Sequence, residues 1–132
     1  MINIENYLLA NDIKEYLKIG NDKLYDLILK DRKISKFRLA NRYYIDIDSF
    51  LFFLKGTRRI DFSKAVEDAI TKDNLPRYID AKEFSELLGI SQNTAYKYIK
   101  DDDTFPATKI GQRYYVWIDL VPPWLNKKKG SF

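Results

Sequence analysis

The stretch AKEFSELLGISQNTAYKYI, Ala81 to Ile99, decides the fold. Asp80, just ahead of it, is placed to cap a helix, with Glu83 three residues on as its capping-box partner. Phe84, Leu87 and Leu88 then form an apolar stripe at helical spacing, and Gly89 supplies the stop. Ser91 caps a second helix whose buried stripe reads as Ala95, Tyr96 and Ile99. Two short helices across a tight turn are the result.

Downstream the period changes. Thr108 to Ile118, TKIGQRYYVWI, is a β-rich run broken at Gly111-Gln112, where a hairpin turns, and it predicts a two-stranded wing. Asp119 sits where an N-cap opens a third helix, Leu120 to Lys127. Pro122-Pro123 is tolerated there because first-turn amides need no intrahelical partner.

The same plan occurs upstream. RYYVWID, Arg113 to Asp119, is preceded by RYYIDID, Arg42 to Asp48, at an offset of 71 residues with five of seven positions identical. Sliding Tyr7–Lys55 over Tyr78–Asn126 keeps this register without a gap, with about 14 of roughly 49 positions identical. ANDIKEYL, Ala10 to Leu17, and the stripe Leu24, Tyr25, Leu27, Ile28 give two helices. FRLANRYYIDI, Phe37 to Ile47, gives a wing turning at Ala40-Asn41, and Asp48 opens a third helix, Ser49 to Lys55. The chain therefore divides into a first unit, residues 1–56, and a second, residues 75–132. Between them residues 57–74 read as a helical linker, with Phe62, Ala65, Val66, Ala69 and Ile70 on one face of a helix over Asp61–Lys72. The expected fold class is α+β: mostly α with small β-hairpins, in two tandem winged helix-turn-helix domains.

Units of about 50 residues bury only about 60% of their unfolded surface, so they need a dense core. Aromatics at 15% of the chain against five glycines supply one. With no cysteine and no histidine, disulfides, thiolate metal sites and the commonest general base are excluded, and no enzyme, metal or cofactor is expected. The N-terminus lacks the pattern of a secretory signal, and no apolar run approaches membrane-spanning length. The expectation is a soluble cytoplasmic protein without a membrane partner.

The net charge is +4, and residues 1–66 hold 13 Lys/Arg against 9 Asp/Glu while residues 67–132 hold 10 against 10. The densest basic run, Lys30 to Arg42, carries six cations and one carboxylate, a composition suited to a polyanion.

Helix, turn, helix, wing and short helix is the order of a winged helix-turn-helix. At this point the chain resembles the excisionase/MerR-like winged helix family, through AKEFSELLGISQNTAYKYI, TKIGQRYYV, Asp119 and Trp124-Leu125 in the second unit. The first unit carries the resemblance through ANDIKEYLKIGNDKLYDLI, RLANRYYI and Asp48 to Leu54. It departs at Lys18 and Ala40, where the family usually has glycine.

A major groove admits an α-helix whose N-terminal side chains reach base edges, so the start of each second helix carries the reading candidates. These are Ser91, Gln92, Asn93, Thr94 and Lys97 in the second unit and Asn21 and Lys23 in the first, where Asp22 and Asp26 repel phosphate. The wings add Arg38, Arg42, Lys109, Gln112 and Arg113, and the basic corner of the first unit adds Arg32, Lys33 and Lys36. In each RYY the arginine is assigned to DNA and a tyrosine to holding the wing on the helices. The acidic run Asp101–Asp103 is expected to face away from a duplex or to meet a protein.

The predicted partner is double-stranded DNA, bound as adjacent half-sites in direct repeat by a protein that is monomeric in solution or cooperative on DNA. The resemblance implies an excisionase-like accessory factor of a mobile element, with an integrase or recombinase as a further partner. A transcriptional regulator, a plasmid transfer, replication or partition factor, and a protein–protein interaction module are the alternatives.

Overall fold

The computed structural model describes residues 6–58, 60–64 and 70–129. The described residues form an α+β chain with six helices and two small three-stranded antiparallel sheets. Two compact units emerge: Met1–Leu54 with Thr71–Asp73, and Lys55–Ile70 with Asn74–Phe132.

In the first unit β1 (Tyr7–Leu9) leads into α1 (Ala10–Leu17), α2 (Asn21–Leu24), the hairpin β2 (Lys36–Leu39) and β3 (Arg42–Asp46), and α3 (Ile47–Lys55). The sheet order is β1-β3-β2, so the wing gains a third strand that the sequence reading did not anticipate. Three residues are too few for period-2 alternation to stand out, and β1 exists because Leu8 pairs with Ile45 and is fully buried. The core is aliphatic around Phe50: Ile13 and Leu17 of α1, Leu24 and Ile28 of the second helix, and Ile45 are all buried.

The second helix is short. After Leu24 it continues as a π-turn, Tyr25–Leu29, and Tyr25 is 56% exposed. Asp48 was expected to cap α3. The cap is instead Asp46, whose carboxylate accepts from the Ser49 amide at 2.9 Å, because the helix begins one residue before Asp48.

Both positions at which the first unit departs from the glycine pattern it resembles take left-handed backbone. Lys18 ends α1 at φ 57°, and Ala40 and Asn41 take φ 52° and 62° in the hairpin turn. Two consecutive positive φ values make a turn whose twist matches the strands, but alanine has a Cβ that resists it. Relief of about 1–2 kcal/mol of αL strain, less the entropy of a freer unfolded chain, predicts that Ala40→Gly stabilises the first unit by about 0.5–1 kcal/mol. Urea denaturation checks this; a loss of stability would mean that the turn has another geometry.

In the second unit β4 (Tyr78–Ile79), α4 (Ala81–Leu88), α5 (Gln92–Asp101), the hairpin β5 (Ala107–Ile110) and β6 (Arg113–Trp117), and α6 (Val121–Lys129) follow the same order, with sheet order β4-β6-β5. The helical punctuation follows the sequence. Asp80 and Glu83 exchange capping-box bonds of 2.7 and 3.4 Å, Gly89 turns at φ 67°, and Ser91 accepts from the Thr94 amide at 3.1 Å. The predicted stripe of α4 is corrected. Its buried arc is Ala81, Phe84 and Ser85, the last with its hydroxyl on the Lys82 carbonyl, which leaves Leu87 on the outer side at 61% exposure and Leu88 at 36%. Asp119 does not cap α6 either: it lies in a 3₁₀ turn, Ile118–Leu120, and its carboxylate takes two bonds from Arg77.

This sheet is covered on both faces. One face places Ala107 and Val116 in the core with Phe84, Phe105 and Trp124. The other carries Thr108, Tyr115 and Trp117, and here Phe62 packs edge-on against Trp117 with ring centroids 4.9 Å apart. Thr108 accepts the buried Trp117 indole N–H at 3.1 Å. The described residues of 55–64 thus pack as part of the second unit. Of the linker helix expected over Asp61–Lys72, the described part shows a 3₁₀ turn at Phe62–Lys64 and a non-helical bend from Thr71; residues 65–69 lie outside the described residues.

Candidate nucleic-acid interface

The start of α5 presents two kinds of polar side chain. Ser91 and Thr94 engage each other, hydroxyl to hydroxyl at 2.9 Å, while Ser91 also caps the helix. Their first task is structural. Gln92, Asn93 and Lys97 are exposed and have no side-chain partner among the described residues, at the helix end whose dipole favours anions. An amide that is free on both its donor and acceptor sides suits the paired edge of adenine in a major groove.

From α5 a basic-aromatic stripe runs onto the wing. The Lys100 ammonium lies 5.6 Å from the Tyr96 ring centroid, Tyr96 meets Tyr114 edge-on at 6.0 Å, and the Lys109 ammonium lies 5.7 Å from the Tyr114 ring. Lys109 and Tyr114 are direct cross-strand partners, so the pleat puts them on one face. Tyr114 is therefore the tyrosine that holds the wing to the helix. Tyr96, predicted as core, is instead 37% exposed because it spans the gap to the wing rather than entering the interior. Tyr96, Lys100 and Tyr114 were absent from the sequence candidates. Their spacing was visible, but the contact that unites them lies between residues 18 apart and is tertiary.

Arg113 begins the return strand on the opposite face, beside the exposed turn Gly111-Gln112, and hydrogen-bonds the Tyr115 hydroxyl. Burial pushes the Tyr115 pKa up, and the arginine's charge and hydrogen bond pull it the other way. On the same face burial, with Tyr115 beside it, pushes Tyr78 up to about 12. Arg113 is thus held in place by a neutral phenol, with its cation at the edge of the wing.

The first unit keeps the wing arrangement and alters the helix. Arg38 lies 5.6 Å from its cross-strand partner Tyr43, as Lys109 lies over Tyr114. Arg42, with Asn41 and Tyr43, lines an open cleft against Leu9, Ala10 and Asn11 at the start of α1. Tyr25, the counterpart of Tyr96, makes no ring contact among the described residues, so no stripe joins helix to wing here. Asn21 accepts a bond from Lys14 at 3.0 Å, which occupies its carbonyl, and Lys23 is exposed between Asp22 and Asp26. Arg32 and Lys33 are exposed at the corner. Lys36 is drawn inward: its ammonium donates to the Asp31 and Ile34 carbonyls at 2.5 and 3.0 Å, so it staples the loop ahead of the wing.

The acidic run after α5 has an internal explanation. Asp102 accepts from the Thr104 amide and hydroxyl and from the Trp124 indole N–H at 3.3 Å, closing the turn onto α6; Asp101 and Asp103 are exposed on either side. No cluster of His, Cys, Asp or Glu among the described residues could hold a metal ion, and none of their helices is long and apolar enough to cross a membrane.

A helix-turn-helix domain family matches residues 78–116, which run from β4 through α4 and α5 to the penultimate residue of β6. This match supports a DNA-binding helix-turn-helix protein. No curated protein and no solved structure matches the chain.

Proposed function

We propose that the chain is a sequence-specific binder of double-stranded DNA, without catalytic activity, whose second unit lays α5 in the major groove and its β5–β6 wing along the flanking phosphates. The observation that carries this reading is the continuous stripe Lys100, Tyr96, Tyr114, Lys109, adjoining Gln92, Asn93 and Lys97. It gives one surface with amides for bases at one end and cations for phosphates along its length. The first unit adds Arg32, Lys33, Arg38 and Arg42 as a backbone clamp, with a helix start too acidic to read bases well. In that arrangement one unit specifies and the other raises affinity, and the two protect adjacent segments of one duplex.

The resemblance to excisionases, together with two units in one chain, favours a role as an accessory factor that binds near a recombination site of a mobile element and engages its recombinase.

Binding titrated against salt tests the proposal. The logarithm of affinity should fall linearly with that of salt, and Lys97→Ala, Lys100→Ala and Lys109→Ala should each lower the slope by about one unit. A flat dependence for the unaltered protein would sink DNA as the ligand and favour a protein-binding module.

A further inference from the structure

A guanidinium from outside the matched helix-turn-helix holds the end of its second helix. Helices leave their last carbonyls without intrahelical partners. At the end of α5 Arg58 takes up that role: Nη2 donates to the Ile99 carbonyl, and Nη1 donates to those of Asp102 at 3.3 Å and Phe105 at 2.9 Å. These three acceptors are distributed informatively. One lies in the last turn of α5, one at its C-cap, and one two residues before β5. A single planar fork therefore ties the second helix to the strand that enters the wing, and its charge sits at the negative end of the helix dipole.

The segment that delivers Arg58 is itself seated. Ile60 and Phe62 are buried, Phe62 against Trp117, and Gly56 turns at φ 60° so close to the Thr108 methyl that a Cβ there would lie 3.1 Å from it. Arg58 is half-buried and directs these bonds inward.

We propose that Arg58 is a positioning residue for DNA reading: it fixes α5 relative to the β5–β6 wing and thereby sets how strongly the second unit distinguishes its site from other sequences. The proposal rests on the DNA-binding reading above. A phosphate contact weakens all sequences alike and shows in the salt slope. A residue that aims the helix changes discrimination and leaves the slope alone.

The test uses the full chain, a duplex selected from a random pool by the unaltered protein, and a random duplex, each titrated at several salt concentrations. Arg58→Met should lose roughly tenfold at the selected duplex, with little change on the random one and an unchanged slope. Arg58→Lys should recover only part of this, since an ammonium is a point donor and cannot span three carbonyls. In the free protein, amide exchange in the last turn of α5 and through Phe105 should quicken in Arg58→Met. An unchanged ratio of selected to random binding overturns the proposal, and so does an equal loss on both duplexes with a slope lower by about one unit. If the unaltered protein binds with a flat slope, the DNA reading fails instead, and the exchange data still decide the anchor: unchanged exchange removes it. Should Arg58→Met not fold, Arg58→Lys carries the same comparison.

Discussion

Phe105→Ala should destabilise the second unit by about 3–5 kcal/mol, the range for emptying a buried phenyl site. The site is a junction. Phe105 has no exposed surface, and its ring meets Phe84 of α4 edge-on at 5.0 Å and Trp124 of α6 at 4.9 Å. Its amide donates to the Asp102 carbonyl at 3.0 Å and its own carbonyl accepts from Arg58, so the backbone here is fixed as firmly as the ring. The rings through which α4 and α6 reach this point both rest on Phe105 itself, so its removal leaves each without its edge-on partner. Against a typical stability of 5–15 kcal/mol the loss is a large fraction, and duplex binding should fall with it. Chemical denaturation followed by circular dichroism measures the change. A loss under about 1 kcal/mol would mean that the site collapses and the ring is not the keystone of this core.

Gln92→Ala and Asn93→Ala should each weaken binding to a selected duplex by about 1–3 kcal/mol while leaving random duplex nearly unaffected. Both side chains are exposed, and neither caps α5, a task that falls to Ser91. Their removal should therefore change recognition without a matching change in folding. The amides lie one residue apart on the first turn, and on the proposed reading the double variant should exceed either single one. Repeating the selection with each variant gives a second readout: the preference should relax at one position of the site. Equal losses on selected and random duplex would show that α5 does not enter the groove by this end.

Much of this architecture was legible in the residues. Asp80, Glu83, Gly89 and Ser91 punctuate α4 and α5 because capping is local chemistry, decided within four residues. The hairpin turns at Ala40-Asn41 and Gly111-Gln112 were placed for the same reason. What escaped the reading was tertiary. β1 and β4 are strands because of partners some forty residues away. The π-turn that follows Leu24 has no compositional mark. Leu87 and Leu88 have core-like composition and spacing, yet the interior of so small a unit reaches only as far along α4 as Phe84 and Ser85. The second unit is read from residue 75, just ahead of the start of the repeat at Tyr78. Residues 56–64 have no counterpart in the repeat, so nothing in the internal comparison could reveal that Phe62 and Arg58 complete that unit. Among the reading candidates, Gln92, Asn93 and Lys97 stand exposed and without a side-chain partner among the described residues. Lys36 and Asn21 show how a cation or an amide that looks available in a sequence can be satisfied by its own loop or helix.

Trp117 and Trp124 are the only tryptophans of the chain, and both lie in the second unit, buried to within a few per cent of their surface. Indole emission is therefore an optical label confined to the half that carries the helix-turn-helix match, whereas the many tyrosines of both halves dominate the remaining ultraviolet signal. Trp117 packs on Phe62 of segment 55–64, and Trp124 lies against the turn that ends α5. Without any added dye, the emission maximum reports on the seating of that segment and on the corner at the end of α5 together. A shift on titration with duplex would reveal that the interior of the second unit senses the bound DNA.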